Sequence, residues 1–136
     1  LGDVYKRQSY LNLPLDEMML HIQKAIENGH PVCWEGDISE EGFIHAKDNY
    51  VDIPENERPV TPTSRQEEFE QLRTTDDHVM EIIGTFLKDE QRYYVCRNSA
   101  GKIWGNQGLI YLSEDYIRLK TIAVFMSEEA FLFDRK

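Results

Sequence analysis

Two β-prone runs, "HVMEIIGTFLK" (78–88) and "RYYVCRN" (92–98), meet at the short polar stretch "KDEQ". So tight a connection between two such runs reads as an antiparallel hairpin. The central Gly84 marks a bend or bulge in the first strand. With the turn at 88–92, residue 78 lies across from the neighbourhood of 98–102. The side chains of His78 and Asn98 can therefore meet at the open end of the hairpin.

The rest of the chain supplies partners for that hairpin. Residues 14–28 read as a helix, with Leu15, Met18, Met19, Ile22, Ala25 and Ile26 on one face and Gly29 as its stop. "PVCWEGDI" (31–38) has the look of a buried strand. Residues 39–63 hold three of the five prolines, and so long an irregular connection is expected to be functional or mobile rather than core. "SRQEEFEQL" (64–72) reads as a short helix with Ser64 as N-cap and Glu67 at the capping-box position. "GLIYLS" (108–113) and "TIAVFM" (121–126) are strands, separated by a brief helix that Ser113 caps. The expected class is α+β, an antiparallel, barrel-like sheet with a leading helix.

A chain of 136 residues suits one domain. A formal charge of −10 argues against nucleic acid and anionic membrane surfaces as partners. No apolar run approaches the roughly 18 residues of a membrane span. Cys33 and Cys96 form no CxxC pair and are expected as two reduced, buried thiols. His21, His30, Cys33 and Asp37 are ligand types in one region, but they lack a regular ligand spacing, so neither metal nor cofactor is expected. Residues 1–8, "LGDVYKRQ", lack the features of a signal peptide and read as a non-native leader, leaving 9–136 as the domain.

Two features could carry chemistry. An Asn98 amide that accepts from one imidazole nitrogen would fix the tautomer of His78 and leave the other nitrogen free for a thiol. The alternative is a strand-edge His beside a turn-forming Asn. In "CRNSAGKIWGNQG" (96–108), Gly101, Gly105 and Gly108 allow a tight loop, and Trp104 could cover the His–Asn contact. A β-turn with a core Trp explains the same residues. Asp77 could favour the charged imidazole by Coulomb attraction, or "TTDDH" could be a solvated rim.

Taken together, "DDHVMEIIG" and "YYVCRNSAGKIWGNQGLIYL" resemble the His and Asn segments of papain-like cysteine peptidases. His78 matches the catalytic base, Asn98 the orienting asparagine, Trp104 the second tryptophan, and Gly105 and Gly108 the later glycines. Upstream, "LDEMMLHIQKAIENGHPVCWEGDIS" looks like the helix and strand that precede the His. "GDISEEGF", the long stretch before His78 and "LSEDYIRLKTIAVFM" lean toward the bleomycin hydrolase or aminopeptidase C branch in a bacterial form. The likeness covers nearly all of 12–127. It departs at Ala100, where the family carries its first Trp, and in lacking the segment that bears the nucleophilic cysteine.

The resemblance therefore implies the C-terminal, His- and Asn-bearing part of a peptidase domain, acting on peptides through Cys-His-Asn chemistry with the Cys outside this chain. It implies a partner N-terminal half, aminopeptidase action, a possible homo-oligomer (six subunits in that branch) and a cytoplasmic setting. The chain alone is expected to be inactive, with an apolar docking patch on the face that carries His78. Two other readings stand beside it. One is a non-catalytic α+β module or pseudopeptidase used for binding. The other is an unrelated thiol hydrolase with Cys96 or Cys33 as nucleophile.

Overall fold

Strand β3 (His78–Lys88) pairs antiparallel with β4 (Gln91–Arg97). A two-residue turn joins them, with Asp89 and Glu90 at positive φ of 50° and 63°. That is the twist of a type I′ turn, which usually selects Asn-Gly. Pairing runs regularly from Lys88–Gln91 to Gly84–Val95, then slips between Ile82 and Gly84. This is the bulge that Gly84 signals. Beyond it Ile82 faces Cys96 and Glu81 faces Arg97.

The computed structural model describes residues 9–132. Four further strands flank the hairpin: β1 (Val32–Gly36), β2 (Tyr50–Val51), β5 (Leu109–Ser113) and β6 (Thr121–Phe125). The sheet order is β2-β5-β4-β3-β1-β6, antiparallel throughout except for β2 with β5. The sheet is open, with edges at β2 and β6, rather than closed into a barrel. Only β3-β4-β5 form a meander. Strand β1 inserts between β3 and β6, so the last strand pairs with the first.

Helix α1 (Leu15–Glu27) buries Leu15, Met19, Ile22 and Ala25, the expected stripe, in a core that includes Val32, Trp34, Met80, Ile82, Tyr94 and Cys96. Each large apolar side chain so buried contributes about 1.5–3 kcal/mol. Helix α4 (Glu114–Lys120) adds Tyr116, Ile117 and Leu119, and Ser113 caps it by accepting from the Tyr116 N–H at 3.0 Å. The Trp34 indole N–H donates to Thr121 Oγ1 at 2.7 Å, so its one polar atom is answered inside the core. The opposite face carries a smaller cluster in which Tyr50 packs edge-on to Tyr93 and tilted to Tyr111, at 5.1 and 5.0 Å between ring centroids. Helix α5 spans Glu128–Leu132.

Two expectations need correction. Residues 39–63 are irregular but belong to the core: α2 (Glu41–Ile44), β2 and a 3-10 turn at Glu55–Glu57 carry the segment past buried Val51, Ile53 and Val60. Arg58 holds it in place, donating to Asp52 at 2.6 Å, Asp115 at 2.9 Å and the Ile53 carbonyl at 3.1 Å. Helix α3 (Pro62–Glu70) starts at Pro62, not Ser64. Thr61 is its N-cap, accepting from the Ser64 N–H at 3.1 Å, and the Ser64 hydroxyl accepts from the Thr61 N–H at 2.9 Å. Proline suits the first turn because its missing N–H would have had no partner there. No helix among the described residues is long and apolar enough to cross a membrane.

Two stability measurements check these contacts. Glu90 sits at positive φ without the freedom of glycine, so Glu90→Gly should raise the unfolding free energy by up to about 1 kcal/mol in urea melts. Burial opposes ionisation of Asp52, but hydrogen bonds from Arg58, Ser113, Gln91 and the Ile53 N–H hold its carboxyl below the ordinary value. A value lower in the folded than in the unfolded chain adds stability above the ordinary carboxylate range, and that stability drains away as pH falls through the folded value. Asp52→Asn should therefore melt lower at neutral pH, yet lose less stability than the wild type below about pH 4.

Candidate functional site

His78 opens β3, directly across from Gly36 at the end of β1. A Cβ at Gly36 would lie 2.4 Å from the Lys120 carbonyl oxygen and 2.3 Å from the Trp34 ring, so only glycine fits there. From this start His78, Met80 and Ile82 alternate onto the face that carries Trp34, with Val79 and Glu81 on the reverse. The bulge matters at this point. It sets Ile82, not Ile83, opposite Cys96, so Cys96 and the next residue of that phase, Asn98, share the His78 face. His78 and Asn98 then lie diagonally across the mouth of the hairpin.

The two side chains meet: His78 Nε2 is 3.1 Å from Asn98 Oδ1. The Ser99 N–H also donates to Oδ1, at 2.8 Å. Only the carbonyl oxygen of an amide can answer a backbone N–H, so this second bond fixes which way the Asn98 amide faces. Oδ1 must then accept from His78, which puts the proton of the neutral ring on Nε2 and the lone pair on Nδ1. Nδ1 has no hydrogen-bond partner among the described residues. Such a ring has one nitrogen anchored and the other free to hold or release a proton.

The loop behind Asn98 is tightly closed. The Asn98 N–H donates to the Gly108 carbonyl at 3.1 Å, and the Gly108 N–H to the Trp104 carbonyl at 2.7 Å. At Gly105 (φ 59°) a Cβ would fall 2.4 Å from the Leu109 carbonyl oxygen. The ring of Trp104 stacks on Phe43, with centroids 6.3 Å apart. That stack joins the loop to α2. Asp77 likewise serves the backbone: its Oδ1 accepts from the Ile38 N–H at 2.9 Å.

Neither thiol reaches the pair. Cys33 lies on the reverse face opposite Glu81, and burial, with Glu35 and Glu81 close by, pushes its thiol up. Cys96 is fully buried, its S–H directed at the Tyr94 carbonyl 3.7 Å away, and burial raises its thiol far above the ordinary range. No hydrogen bond links either sulfur to His78. Both cysteines are free. A thiol hydrolase built on Cys33 or Cys96 therefore lacks its nucleophile–base contact. His21 stacks on Phe131 at 4.4 Å, and among the described residues no group of three His, Cys, Asp or Glu could hold a metal.

In the loop behind Asn98, Ile103 is fully exposed, and two exposed apolar strand residues lie on the reverse face of the sheet. Val79 is 51% and Phe125 42% exposed, and strand pairing sets both on the side of Cys33, away from His78. Alternation is the reason, since neighbours 78 and 79 must point oppositely. Glu35 is on that side too, its carboxyl raised by burial and by a hydrogen bond with Asp76. Two buried charges were not foreseen as structural. Lys120 donates to Glu40 at 2.9 Å, Glu68 at 3.2 Å and the Arg73 carbonyl at 3.2 Å. Asp37, weighed only as a metal ligand, accepts from Ser39 and Thr75. No motif announces either, because their partners come from distant segments.

No family model matches the chain, and no curated protein matches it. Solved structures do. The crystal structure of PepW from Lactobacillus rhamnosis HN001 superposes with a TM-score of 0.70 at 19% identity, over 88% of this chain and 28% of that one. A structure describing limited antibody cross-reactivity between the mite allergens Blo t 1 and Der p 1 gives a TM-score of 0.50 at 19% identity, over 82% of this chain and 31% of that one. The chain thus spans less than a third of either solved chain. What it shares with them is a fold: an α+β arrangement built on a six-stranded, mostly antiparallel open sheet.

Proposed function

We propose that the chain is the base-bearing part of a papain-like cysteine peptidase, with His78 as general base and acid and Asn98 as its orienting residue. One observation carries this reading: the Nε2–H of His78 is held by an amide oxygen that is itself fixed by Ser99, while Nδ1 has no partner among the described residues. In the proposed reaction a cysteine outside this chain meets Nδ1 and becomes a thiolate beside an imidazolium. The thiolate attacks the peptide carbonyl, and Nδ1–H then protonates the departing amine. In the second half Nδ1 takes a proton from water, which hydrolyses the thioester. Throughout, Asn98 keeps Nε2 protonated and the ring aimed.

The resemblance extends the proposal to aminopeptidase action of the bleomycin hydrolase type, with a peptide substrate and assembly into a homo-oligomer. A non-catalytic binding role is the competing reading, favoured by Ala100 and by the want of a thiol against His78 among the described residues.

Hydrolysis assays separate them. The 136-residue chain alone should release no product from aminoacyl-coumarin or fluorogenic peptide substrates above background. The same chain expressed with its upstream coding sequence should do so, and His78→Ala should cut kcat/KM by about 10²–10⁴-fold. Asn98→Ala should cost less and act mainly on kcat. Release of single residues from the N-terminus would support the aminopeptidase assignment. Full activity in His78→Ala would overturn the role of His78, and thiol-epoxide-sensitive cleavage by the 136-residue chain would overturn the proposed division of the site.

A further inference from the structure

Asp37 follows β1 directly, is 1% exposed, and forms no ion pair with a cation among the described residues. Its two oxygens serve two different segments. Oδ1 accepts from the Ser39 N–H at 2.8 Å and the Ser39 hydroxyl at 2.7 Å. Oδ2 accepts from the Thr75 N–H at 2.7 Å and the Thr75 hydroxyl at 3.0 Å. Its backbone is fixed as well: the Asp37 N–H donates to the Lys120 carbonyl at 3.1 Å, and its carbonyl accepts from the Tyr116 hydroxyl at 2.8 Å.

The opposite segment answers in kind. Asp77 Oδ1 accepts from the Ile38 N–H, and the Asp77 N–H points to the Gly36 carbonyl at 3.4 Å. Residues 75–77, which lead into His78, are thereby laced to residues 36–39. Gly36 itself faces His78. Four donors on a buried carboxylate outweigh its desolvation, since hydrogen bonds to a charged acceptor are the strong ones. An amide could not replace it, because asparagine has one acceptor oxygen and two segments need one each.

We propose that Asp37 is a positioning residue for His78, holding Thr75 so that the chain enters β3 with the imidazole within reach of Asn98. The tolerance is small. The Nε2–Oδ1 separation is 3.1 Å, so a drift of about 1 Å at the root of β3 takes it beyond hydrogen-bond range. The functional meaning of this placement rests on the reading of His78 as a base, whereas the placement can be measured without any catalysis.

The test is nitrogen-15 NMR of the imidazoles in the 136-residue chain, reading the tautomer of His78 and the exchange rate of its ring proton. The wild type should show the Nε2–H form with a protected proton. Asp37→Asn should speed exchange of that proton by about tenfold or more and mix the tautomers, the effect of loosening one hydrogen bond. Asp52→Asn, which breaks a network of comparable size elsewhere, should lower the melting temperature and leave the His78 signals unmoved. If folded Asp37→Asn keeps wild-type His78 signals, or if Asp52→Asn disturbs them equally, the proposal fails. Should Asp37→Asn not fold, Thr75→Val removes one of the four donors and decides it by the same two readouts. In the longer, active protein Asp37→Asn should lower kcat with little change in KM. If that protein proves to have no peptidase activity, the functional reading falls while the NMR result still judges the placement.

Discussion

The candidate site depends on one extra residue in one strand. Counted from the β-turn alone, the pairing of β3 with β4 would set Asn98 opposite Glu81, on the face away from His78. The slip between Ile82 and Gly84 shifts the register by one position, and a shift of one moves every following side chain to the other face. Only then do His78, Met80, Ile82, Cys96 and Asn98 look the same way. The bulge therefore does two things at once. It lets both strands bury their apolar residues against α1, and it delivers the amide to the imidazole. The core and the site are products of the same register, so a slip of that register would disrupt both.

Around that register the fold uses charges as fasteners. Arg58 ties the irregular stretch before α3 to the start of α4, Lys120 gathers Glu40 and Glu68 beneath the sheet end, and Asp37 laces the approach to His78. Each serves backbone that has no ladder to join. An irregular segment leaves N–H and C=O groups without partners, and a side chain with several donors or acceptors can answer them together. The acidic balance of the chain argued only against nucleic acid and anionic membranes as partners. In the structure several of those carboxylates are instead architectural acceptors, half-buried and matched to particular donors.

Much of this was legible beforehand where one segment decides its own state. The α1 stripe, the β3–β4 hairpin, the Gly84 bulge and the Ser113 cap each rest on residues close in sequence. Errors arose where a nearby rule competed with a better one. Ser64 does take part in a capping box, but Thr61 and Pro62 form the better start, so the helix begins earlier. Trp104 has a ring partner its own segment does not announce, Phe43, some sixty positions away in the chain. The 39–63 stretch looked like surface because its local pattern is irregular. Val51, Ile53 and Val60 are buried all the same, since the sheet edge and α4 stand ready to receive them.

By itself, the sequence determined α1, the antiparallel hairpin and the nearness of the strand ends that carry His78 and Asn98. The reason is that a short turn fixes which residues meet, and Gly84 marks the bulge that turns Asn98 to the His78 face. Tertiary structure alone decided where β1 inserts, what Trp104, Asp77 and Asp37 touch, and that both thiols lie out of reach of the imidazole. Those outcomes turn on which segments pack side by side, and packing between distant segments is set by the burial of whole faces rather than by any local pattern. The hydrogen bond at the hairpin mouth was foreseeable. The buried carboxylate beneath it was not, because its donors come together only when β1 and the approach to β3 are brought side by side.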